Sequence, residues 1–439
     1  MKSLLRGLSL LPLLLIACGT DGGNGSTVNG ACATSSTGKL VVTVSGLPSG
    51  VNASVNFTTG GSTQTVTQTT TLDAFASGAY TVSADIVTQA DPIVRTANKG
   101  TVSVTTAQVC DGETTNVDVT YAEIATSNKI WWGNENGANP TLAYSSSHLA
   151  ASGSPAADVE AGTAGAIPGE FDAQGNLWVV DSVNEAIKRY SADSLAAGGS
   201  QSPDVEIDAS EFTGGIPGPA SMTFDAKGNL YVGIAFSKTI ARFDNDGTLA
   251  ATGVHGPTAT ITTPDAPNAL AFDKDDNLWA ACANDRVVKL GHAHETGSIT
   301  ATPDVSIEAK TPSPVINTLS NPLGLAFDAA GNLWVDYDGT FAALTASDRS
   351  GSGDVSITPA IQIQADVLSL PGVFSFDESG GLWFAYSQGK IAKFGASQLT
   401  ASGSVTPEVI VTSSSVGSAT GPALYPAPKA LPLYAAVQK

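Results

Sequence analysis

Residues 32–124 alternate apolar with polar positions, which is the pattern of short β-strands. The stretches "GKLVVTVSGLP", "GAYTVSADIV" and "TTNVDVTYAEI" set Val, Leu, Ile and Tyr against Thr, Ser and Asp, and turn residues separate them. Strands of this kind bury one face and expose the other. The pattern predicts about seven short strands that form a small β-sandwich domain over residues 32–124.

A longer pattern repeats through residues 125–439. An aromatic residue, an aspartate and a turn recur in "FDAQGNLWVV", "FDAKGNLYVG", "FDKDDNLWAA", "FDAAGNLWVD" and "FDESGGLWFA", which begin at Phe171, Phe224, Phe272, Phe327 and Phe376. These starting positions lie 53, 48, 55 and 49 residues apart. Further apolar stretches follow in every unit, and a repeat of about 50 residues with about four strands per unit predicts a β-propeller.

The two ends of this region predict how the ring closes. Residues 129–161 carry the second, third and fourth strands of a unit but no first strand, whereas "PKALPLYAA" after residue 427 matches the first-strand pattern. Five complete units and this shared unit predict a six-bladed propeller, closed by a blade to which both ends contribute. Such a closure leaves no open sheet edge in the ring.

The repeated aspartates and tryptophans are predicted to be structural. An aspartate followed by a Gly-Asn pair can accept backbone N–H bonds across a tight turn, and glycine tolerates the positive φ that the turn needs. These aspartates are Asp172, Asp225, Asp273, Asp328 and Asp377. All six tryptophans fall on the second strand of a unit, with Tyr231 in the equivalent place of another unit. We expect these rings to pack between neighbouring blades.

The repeated stretch resembles the NHL-repeat propellers and their relatives, which include the virginiamycin B lyase group and the gluconolactonase/senescence-marker group. The resemblance covers nearly all of residues 125–439 and implies the fold more specifically than an activity, because these relatives include binding scaffolds, lyases and metal-dependent lactonases. Residues 32–124 resemble the transthyretin-like and carboxypeptidase-regulatory-like sandwiches of bacterial surface proteins. That second resemblance implies a spacer module.

The amino terminus predicts export. Lys2 and Arg6 precede an apolar run that is too short to span a bilayer, so residues 1–17 are predicted to be a signal peptide. The residues before Cys18 resemble the bacterial lipobox, which implies that Cys18 is lipidated. Residues 18–31 are rich in Gly, Ser, Thr and Asn, as in a flexible tether. We therefore expect a lipoprotein of the bacterial cell envelope, at the outer membrane or cell surface, with ordinary secretion as the alternative.

Cysteine usage agrees with an exported protein. Cys32 and Cys110 flank the predicted sandwich domain, and a disulfide between them is the favoured interpretation. A zinc site is the alternative, although no histidine lies nearby to complete it. Cys282 lies in the apolar run "NLWAACAN", which predicts a small buried hydrophobic residue.

The charge balance limits the partners. The chain has 40 acidic and 20 basic residues, a net charge of -20 and a pI near 4.4. Such a chain repels nucleic acid and bare anionic membranes. We expect contact with the membrane through the lipid anchor alone, and a protein or a saccharide as the ligand.

Acidic residues provide the candidate chemistry. The histidines fall in hairpins between third and fourth strands, away from the face where relatives bind ligands, so no histidine base is expected there. Asp336 and Glu170 stand where other units have small or hydroxyl side chains. Resemblance to the lactonases implies a divalent cation such as calcium held by Glu170, Asn134, Asp181 and Asp336. The alternative for these four residues is surface charge with local hydrogen bonding.

Three functions remain open at this point. The favoured hypothesis is a lipid-anchored surface protein whose propeller is a binding scaffold, without a committed enzymatic activity. The second is a metal-dependent lactonase-like or hydrolase-like enzyme with an acidic site at the axial face. The third is a structural protein of the envelope.

Overall fold

The structure is a computed structural model, and it divides the chain into two compact units. Unit 1 comprises the described part of Met1–Val87 together with Lys99–Ala122, and unit 2 comprises Thr88–Asn98 and the described part of Glu123–Lys439. Thr88–Asn98 thus belongs to the second unit, although it lies inside the range predicted as the sandwich. The described residues are 36–134, 141–162, 166–181, 184–208, 210, 219–234, 237–254, 256–291, 293, 297–312, 319–365, 372–387, 389–412, 419–429 and 431.

The first nine strands form two sheets with the orders β4-β1-β9-β7-β6 and β3-β2-β5-β8. Apolar side chains from both sheets, such as Val42, Phe57 and Val119, form one buried core. Strands β1 and β9 pair in parallel, and the other pairs described between β1, β2, β3, β4, β5 and β8 are antiparallel. The strands are β1 (Thr37–Ser45), β2 (Val55–Thr59), β3 (Ser62–Val66), β4 (Thr70–Ala76), β5 (Gly78–Ala84), β6 (Val87–Gln89), β7 (Thr96–Val102), β8 (Thr106–Val109) and β9 (Thr114–Glu123).

The second unit is a β-propeller. Within the described residues it has six sheets, each built on four antiparallel strands, and we number these sheets as blades 1 to 6. Blade 1 is β37 (Ala419–Tyr425), β10 (Lys129–Asn134), β11 (Thr141–Ser145) and β12 (Val159–Ala161); blade 2 is β13 (Ala166–Phe171), β14 (Leu177–Asp181), β15 (Ala186–Tyr190) and β16 (Val205–Asp208); blade 3 is β17 (Pro219–Phe224), β18 (Leu230–Ile234), β19 (Thr239–Phe243) and β21 (Ala259–Thr262).

Blades 4 to 6 repeat the same order from the inside of the ring to the outside. Blade 4 is β22 (Pro267–Phe272), β23 (Leu278–Cys282), β24 (Arg286–Leu290) and β26 (Val305–Ala309); blade 5 is β27 (Pro322–Phe327), β28 (Leu333–Tyr337), β29 (Thr340–Leu344) and β31 (Ile361–Ala365); blade 6 is β32 (Phe374–Phe376), β33 (Leu382–Ser387), β34 (Lys390–Phe394) and β36 (Val409–Thr412). Two short α-helices, α1 (Ser146–Leu149) and α2 (Ala192–Ala197), and two 3-10 turns, Thr248–Ala250 and Ala396–Leu399, complete the described elements. No helix among the described residues is long and apolar enough to cross a membrane.

The ring closes through blade 1, as predicted, but with a different strand. Strand β37 pairs antiparallel with β10, from Lys129 opposite Tyr425 to Asn134 opposite Ala419. The closing strand is therefore Ala419–Tyr425, and the assignment of "PKALPLYAA" as that strand is wrong. Tyr425 takes the place of the repeated phenylalanine, and its ring packs against Phe171 of blade 2 at 5.7 Å.

Short parallel strands join each blade to the one before it, a feature that the sequence pattern does not predict. The connection between the third and fourth strands of a blade contributes a strand to the outer edge of the preceding blade. These parallel pairs are β20 (Gly253–Val254) with β16, β25 (Ile299–Thr300) with β21, β30 (Gly353–Ile357) with β26, and β35 (Gly403–Val405) with β31. Single bridges from Gly153 to Val411 and from Gly199 to Ala161 complete the circuit. Outer edges are thus covered from blade to blade.

The repeated aspartates have the predicted structural role. In blade 2, one oxygen of Asp172 accepts the backbone N–H groups of Gln174 and Asn176, each at 3.0 Å, while the other accepts the indole N–H of Trp178 at 3.1 Å. The same indole bond recurs from Trp279 to Asp273, from Trp334 to Asp328 and from Trp383 to Asp377. The turn and the aromatic core of a blade are therefore fixed by one carboxylate.

The aromatic rings pack between blades, as predicted. The ring of the second strand meets the phenylalanine of the next blade's first strand. Trp178 and Phe224 have centroids 6.2 Å apart, and Tyr231 and Phe272 lie 5.0 Å apart. Most of these contacts are edge-on, the arrangement that aromatic quadrupoles favour.

Segment Thr88–Asn98 packs within the propeller unit. Ile93 and Val94 are buried in one cluster with Trp132 of blade 1. Arg95 Nε donates to Glu378 Oε1 at 2.5 Å, and the Ile93 carbonyl accepts the Glu378 N–H at 3.1 Å. An apolar anchor and a partly buried ion pair therefore hold this segment on the blades.

The predicted cysteine roles fall partly outside the described residues. Cys18 and Cys32 lie outside them, so lipidation and the disulfide from Cys32 to Cys110 stay predictions. Cys282 is buried with a free thiol, as predicted, and burial raises the pKa of the thiol to about 12.

Candidate functional site

The first strands of the six blades line a central cavity of about 200 Å³. Its walls are mainly apolar side chains and glycine, with a few hydroxyl groups. The lining residues include Gly169, Glu170, Phe171, Ser221, Met222, Thr223, Phe224, Ala269, Leu270, Ala271, Leu325, Ala326, Val373, Phe374, Ser375, Ala423 and Leu424. Because innermost strands have no neighbour on the axial side, their unpaired backbone groups face this space.

Glu170 is the one ionisable side chain among the described residues that line the cavity. It lies next to the end of β13 and reaches the first strand of blade 3. Its Oε2 accepts the Phe224 N–H at 3.3 Å, and the Thr223 hydroxyl lies 3.4 Å from each carboxylate oxygen. The carboxylate therefore joins two neighbouring blades through an otherwise unpaired strand edge.

Burial raises the pKa of Glu170 to about 7, although the bonds from Phe224 and Thr223 partly offset the rise. The residue keeps some accessible surface, and it lies on the wall of the cavity. Carboxyl groups with a pKa near 7 can bind or release a proton at physiological pH. Glu170 is therefore the chemically distinctive group of the cavity.

Two other side chains make equivalent connections between first strands. Asn268 Nδ2 donates to the Pro322 carbonyl at 3.0 Å, and Ser375 Oγ donates to the Pro422 carbonyl at 3.4 Å. Ser221 differs from these, because its buried hydroxyl has no hydrogen-bond partner among the described residues. Neutral groups thus bridge other pairs of blades, and a charged group bridges blades 2 and 3.

The segment that follows β37 also lines the cavity. Ala427, Pro428 and Leu431 contribute to its wall, and Leu431 packs against the buried cluster that includes Phe374. The Lys429 backbone N–H donates to Glu378 Oε1 at 3.0 Å, which fixes this segment to blade 6. The carboxy-terminal part of the described chain therefore helps to enclose the cavity.

A second cavity, of about 260 Å³, lies beside the turns of blades 2 and 3. Arg189 contributes to its wall, but its guanidinium donates to both oxygens of Asp204 and lies 5.5 Å from the Trp178 ring centroid. Hydrogen bonding to Asp204 raises the pKa of Arg189. The charged groups of Asp172, Arg189 and Asp225 have structural partners here, so we regard the central cavity as the better candidate site.

Asp181, one of the four predicted metal ligands, is buried beside an ammonium group. Lys188 Nζ donates to Asp181 Oδ2 at 2.6 Å, and Asn184 bonds to both carboxylate oxygens. Burial by itself would raise the pKa of Asp181, but the bonds from Asn184 and Lys188 outweigh it and lower the pKa below its ordinary value. The position that a cation would take beside Asp181 is filled by Lys188.

Asp336 joins blade 5 to blade 6 through backbone amides. It accepts the Gly339 N–H at 2.8 Å and the Gly372 N–H at 2.9 Å. Burial raises the pKa of Asp336 to about 6, and these two amide bonds oppose the rise. Gly324 lies opposite Asp336, and a Cβ there would overlap the Gly372 carbonyl. The carboxylate therefore holds the start of the last blade closely against its neighbour.

The structure does not bring the four predicted ligands together as a metal centre. The bonds described above for Glu170, Asp181 and Asp336 are to Thr223, Lys188 and backbone amides, and Asn134 is buried at the end of β10. Within the described ranges, no three His, Cys, Asp or Glu residues form a group that could hold an ion. Glu170, Asp181 and Asp336 do not form such a group in the described part of the chain, and the metal site stays a prediction.

Several solved structures match part of this chain at low sequence identity. Virginiamycin B lyase from Staphylococcus aureus matches at 16% identity, over 64% of this chain and 78% of that one, with a TM-score of 0.36. A chain of a nidogen/laminin complex matches at 11% identity over 68% and 99%, with a TM-score of 0.45. A protein of unknown function from Bacteroides caccae matches at 11% identity over 67% and 97%, with a TM-score of 0.42.

No protein-family model and no curated protein matches the sequence. At these identities, likeness to the solved structures concerns the fold alone. The strand topology of the second unit establishes the β-propeller.

Proposed function

We propose that this chain is an exported, lipid-anchored protein of the bacterial cell envelope, at the outer membrane or cell surface, whose propeller is a binding scaffold. The amino-terminal sequence supports the anchor, because a lipobox-like stretch ends at Cys18 and a Gly- and Ser-rich tether follows it. The acidic composition supports a ligand other than nucleic acid.

The central cavity is the observation that carries the binding role. Ligand sites are concave, mostly apolar and largely preformed, with a few polar groups that orient the ligand. The cavity has this composition, with Glu170 and Thr223 among its polar groups. Its walls are fixed by the inter-blade aromatic contacts and the Asp–Trp bonds, so a ligand would enter a preorganised site.

The anchor is tested by labelling cells with a radioactive or clickable fatty acid. Cys18→Ala should abolish the label and release the protein from the membrane fraction, whereas Cys282→Ala, the matched control, should retain both. Persistence of the label in Cys18→Ala would contradict the proposed anchor.

The binding role is tested by a thermal-shift screen of small molecules and oligosaccharides on the full chain. Ala271→Leu narrows the cavity at the level of Glu170, so it should weaken a ligand that binds there. A substitution in unit 1, Thr65→Ala, should leave the same ligand unaffected. If every ligand found binds both variants equally well, the cavity is not the binding site.

A further inference from the structure

We infer that the cavity selects a small organic cation, a protonated amine on a slim apolar body, and binds its ammonium group through the Glu170 carboxylate. This inference rests on the proposed binding function and adds the chemical class of the ligand. It follows from the partners of the buried carboxylates, from the cavity wall and from its size.

Two other buried carboxylates of the propeller have a cation from the chain itself, and a third, Asp336, accepts two short bonds from backbone amides. Lys188 pairs with Asp181 at 2.6 Å, and Lys393 pairs with Asp377 at 2.8 Å. Glu170 has no such partner among the described residues, and its bonds to neutral groups are long, at 3.3 and 3.4 Å. Because a carboxylate offers about four acceptor positions, Glu170 retains room for a strong donor.

The wall and the size of the cavity define the rest of the ligand. Apolar side chains such as Leu270, Leu325 and Phe374 line the cavity. They favour an aliphatic body and disfavour a second charged group, which would be buried without a partner. Its volume of about 200 Å³ is below the range of about 300–1,000 Å³ that holds drug-sized ligands. An amine of a few carbon atoms fits these limits.

Charge complementarity favours a cation over other small ligands. The net charge of -20 concentrates cations near the protein. Burial disfavours the ionised form of Glu170, and an ammonium ion at the carboxylate would offset that penalty. A primary amine supplies three donors and stays protonated well above neutral pH, with a pKa of about 10.

Binding should therefore strengthen between pH 5.5 and pH 8, as Glu170 loses its proton. The cavity is surrounded by strands β13, β17, β22, β27, β32 and β37 and by Ala427, Pro428 and Leu431. Among the described residues that they place on its wall, Glu170 is the titratable one, so the change with pH is assigned to this side chain.

Isothermal titration calorimetry on the full chain tests the inference. The probes are propylamine, butylamine and hexylamine, with 1-butanol as the neutral analogue, in phosphate buffer free of amines. We expect butylamine to bind at pH 8 and to bind at least tenfold more weakly at pH 5.5 or in Glu170→Gln. Glu123→Gln removes the same charge from an exposed site and should bind like the wild type.

The outcomes separate this inference from the proposed function. Equal binding of butylamine to the wild type and Glu170→Gln overturns the role of the carboxylate. Failure of all three amines to bind overturns the ligand class, but the binding function stands if the thermal-shift screen finds another ligand that Ala271→Leu weakens. Failure of both experiments removes the binding function as well.

Discussion

Replacing Glu170 with glutamine should stabilise the propeller at pH 8 and change little at pH 4. Burial raises the pKa of this carboxyl from 4.5 to about 7, so the folded state holds a proton that the unfolded state has released. Stability is therefore lost as pH rises from 4.5 to 7. At about 1.4 kcal/mol per pH unit, the ionised carboxylate lowers the free energy of unfolding by up to about 3 kcal/mol at pH 8.

Glutamine keeps an oxygen that can accept the bonds from Phe224 and Thr223 but removes the charge. The substitution therefore isolates the effect of the buried charge on the free energy of unfolding. Urea unfolding followed by tryptophan fluorescence measures it, because all six tryptophans lie between residues 131 and 383 and therefore report the propeller. Asp336 titrates in the same direction, so the comparison is the difference between variant and wild type at each pH. A difference that is the same at pH 4 and pH 8 would refute the assigned burial of Glu170.

Two further substitutions test how the blades are held. Asp181→Asn should leave the ammonium group of Lys188 buried without its charged partner and destabilise the propeller by about 3 kcal/mol. Adding Lys188→Met should restore most of the lost stability. Urea unfolding that shows no such recovery would contradict the ion pair. Gly324→Ala should force the Gly372 carbonyl away from blade 5 and lower the free energy of unfolding by about 1–3 kcal/mol. Gly351→Ala is the control, because a Cβ there meets only ordinary contacts, and it should be near neutral in the same assay.

The repeating fold could be predicted because each blade encodes it locally. The turn after Phe171 needs an aspartate acceptor and a residue that tolerates positive φ, and Gly175 has a φ of 82° there. Asp276 replaces this glycine in blade 4 and adopts a φ of 62°. Short-range chemistry of this kind is legible in a sequence, because all partners lie within a few residues of each other.

Pairings over long distances could not be predicted in the same way. Strand β37 was assigned about ten residues too late because "GPALYP" and "PKALPLY" both fit the first-strand pattern. The earlier stretch is the strand, because Tyr425 pairs with Lys129 and its ring contacts Phe171. The short parallel strands at the outer edges have as few as two residues, as in Gly253–Val254, so they produce no periodic pattern.

The candidate site was predicted only in part for a similar reason. Glu170 and Asp336 were identified because they depart from the pattern of the other units. Their partners lie on the next blade, at Phe224 and Gly372, and the spacing along one unit does not encode them. The cavity arises from six strands at once, so its size and apolar lining appear only when the ring is assembled.

The other blades show what the position of Glu170 requires structurally. On blades 3 to 6 the equivalent place is occupied by Thr223, Ala271, Ala326 and Ser375. The ring of blades therefore forms with a small methyl or hydroxyl side chain at this position. Ser375 connects to the next blade with a neutral hydrogen bond and without a buried charge. A carboxylate at this position is therefore not needed for packing, and its ionised form reduces stability at neutral pH. Local rules are typically broken where function demands it, which favours Glu170 as a ligand-binding group.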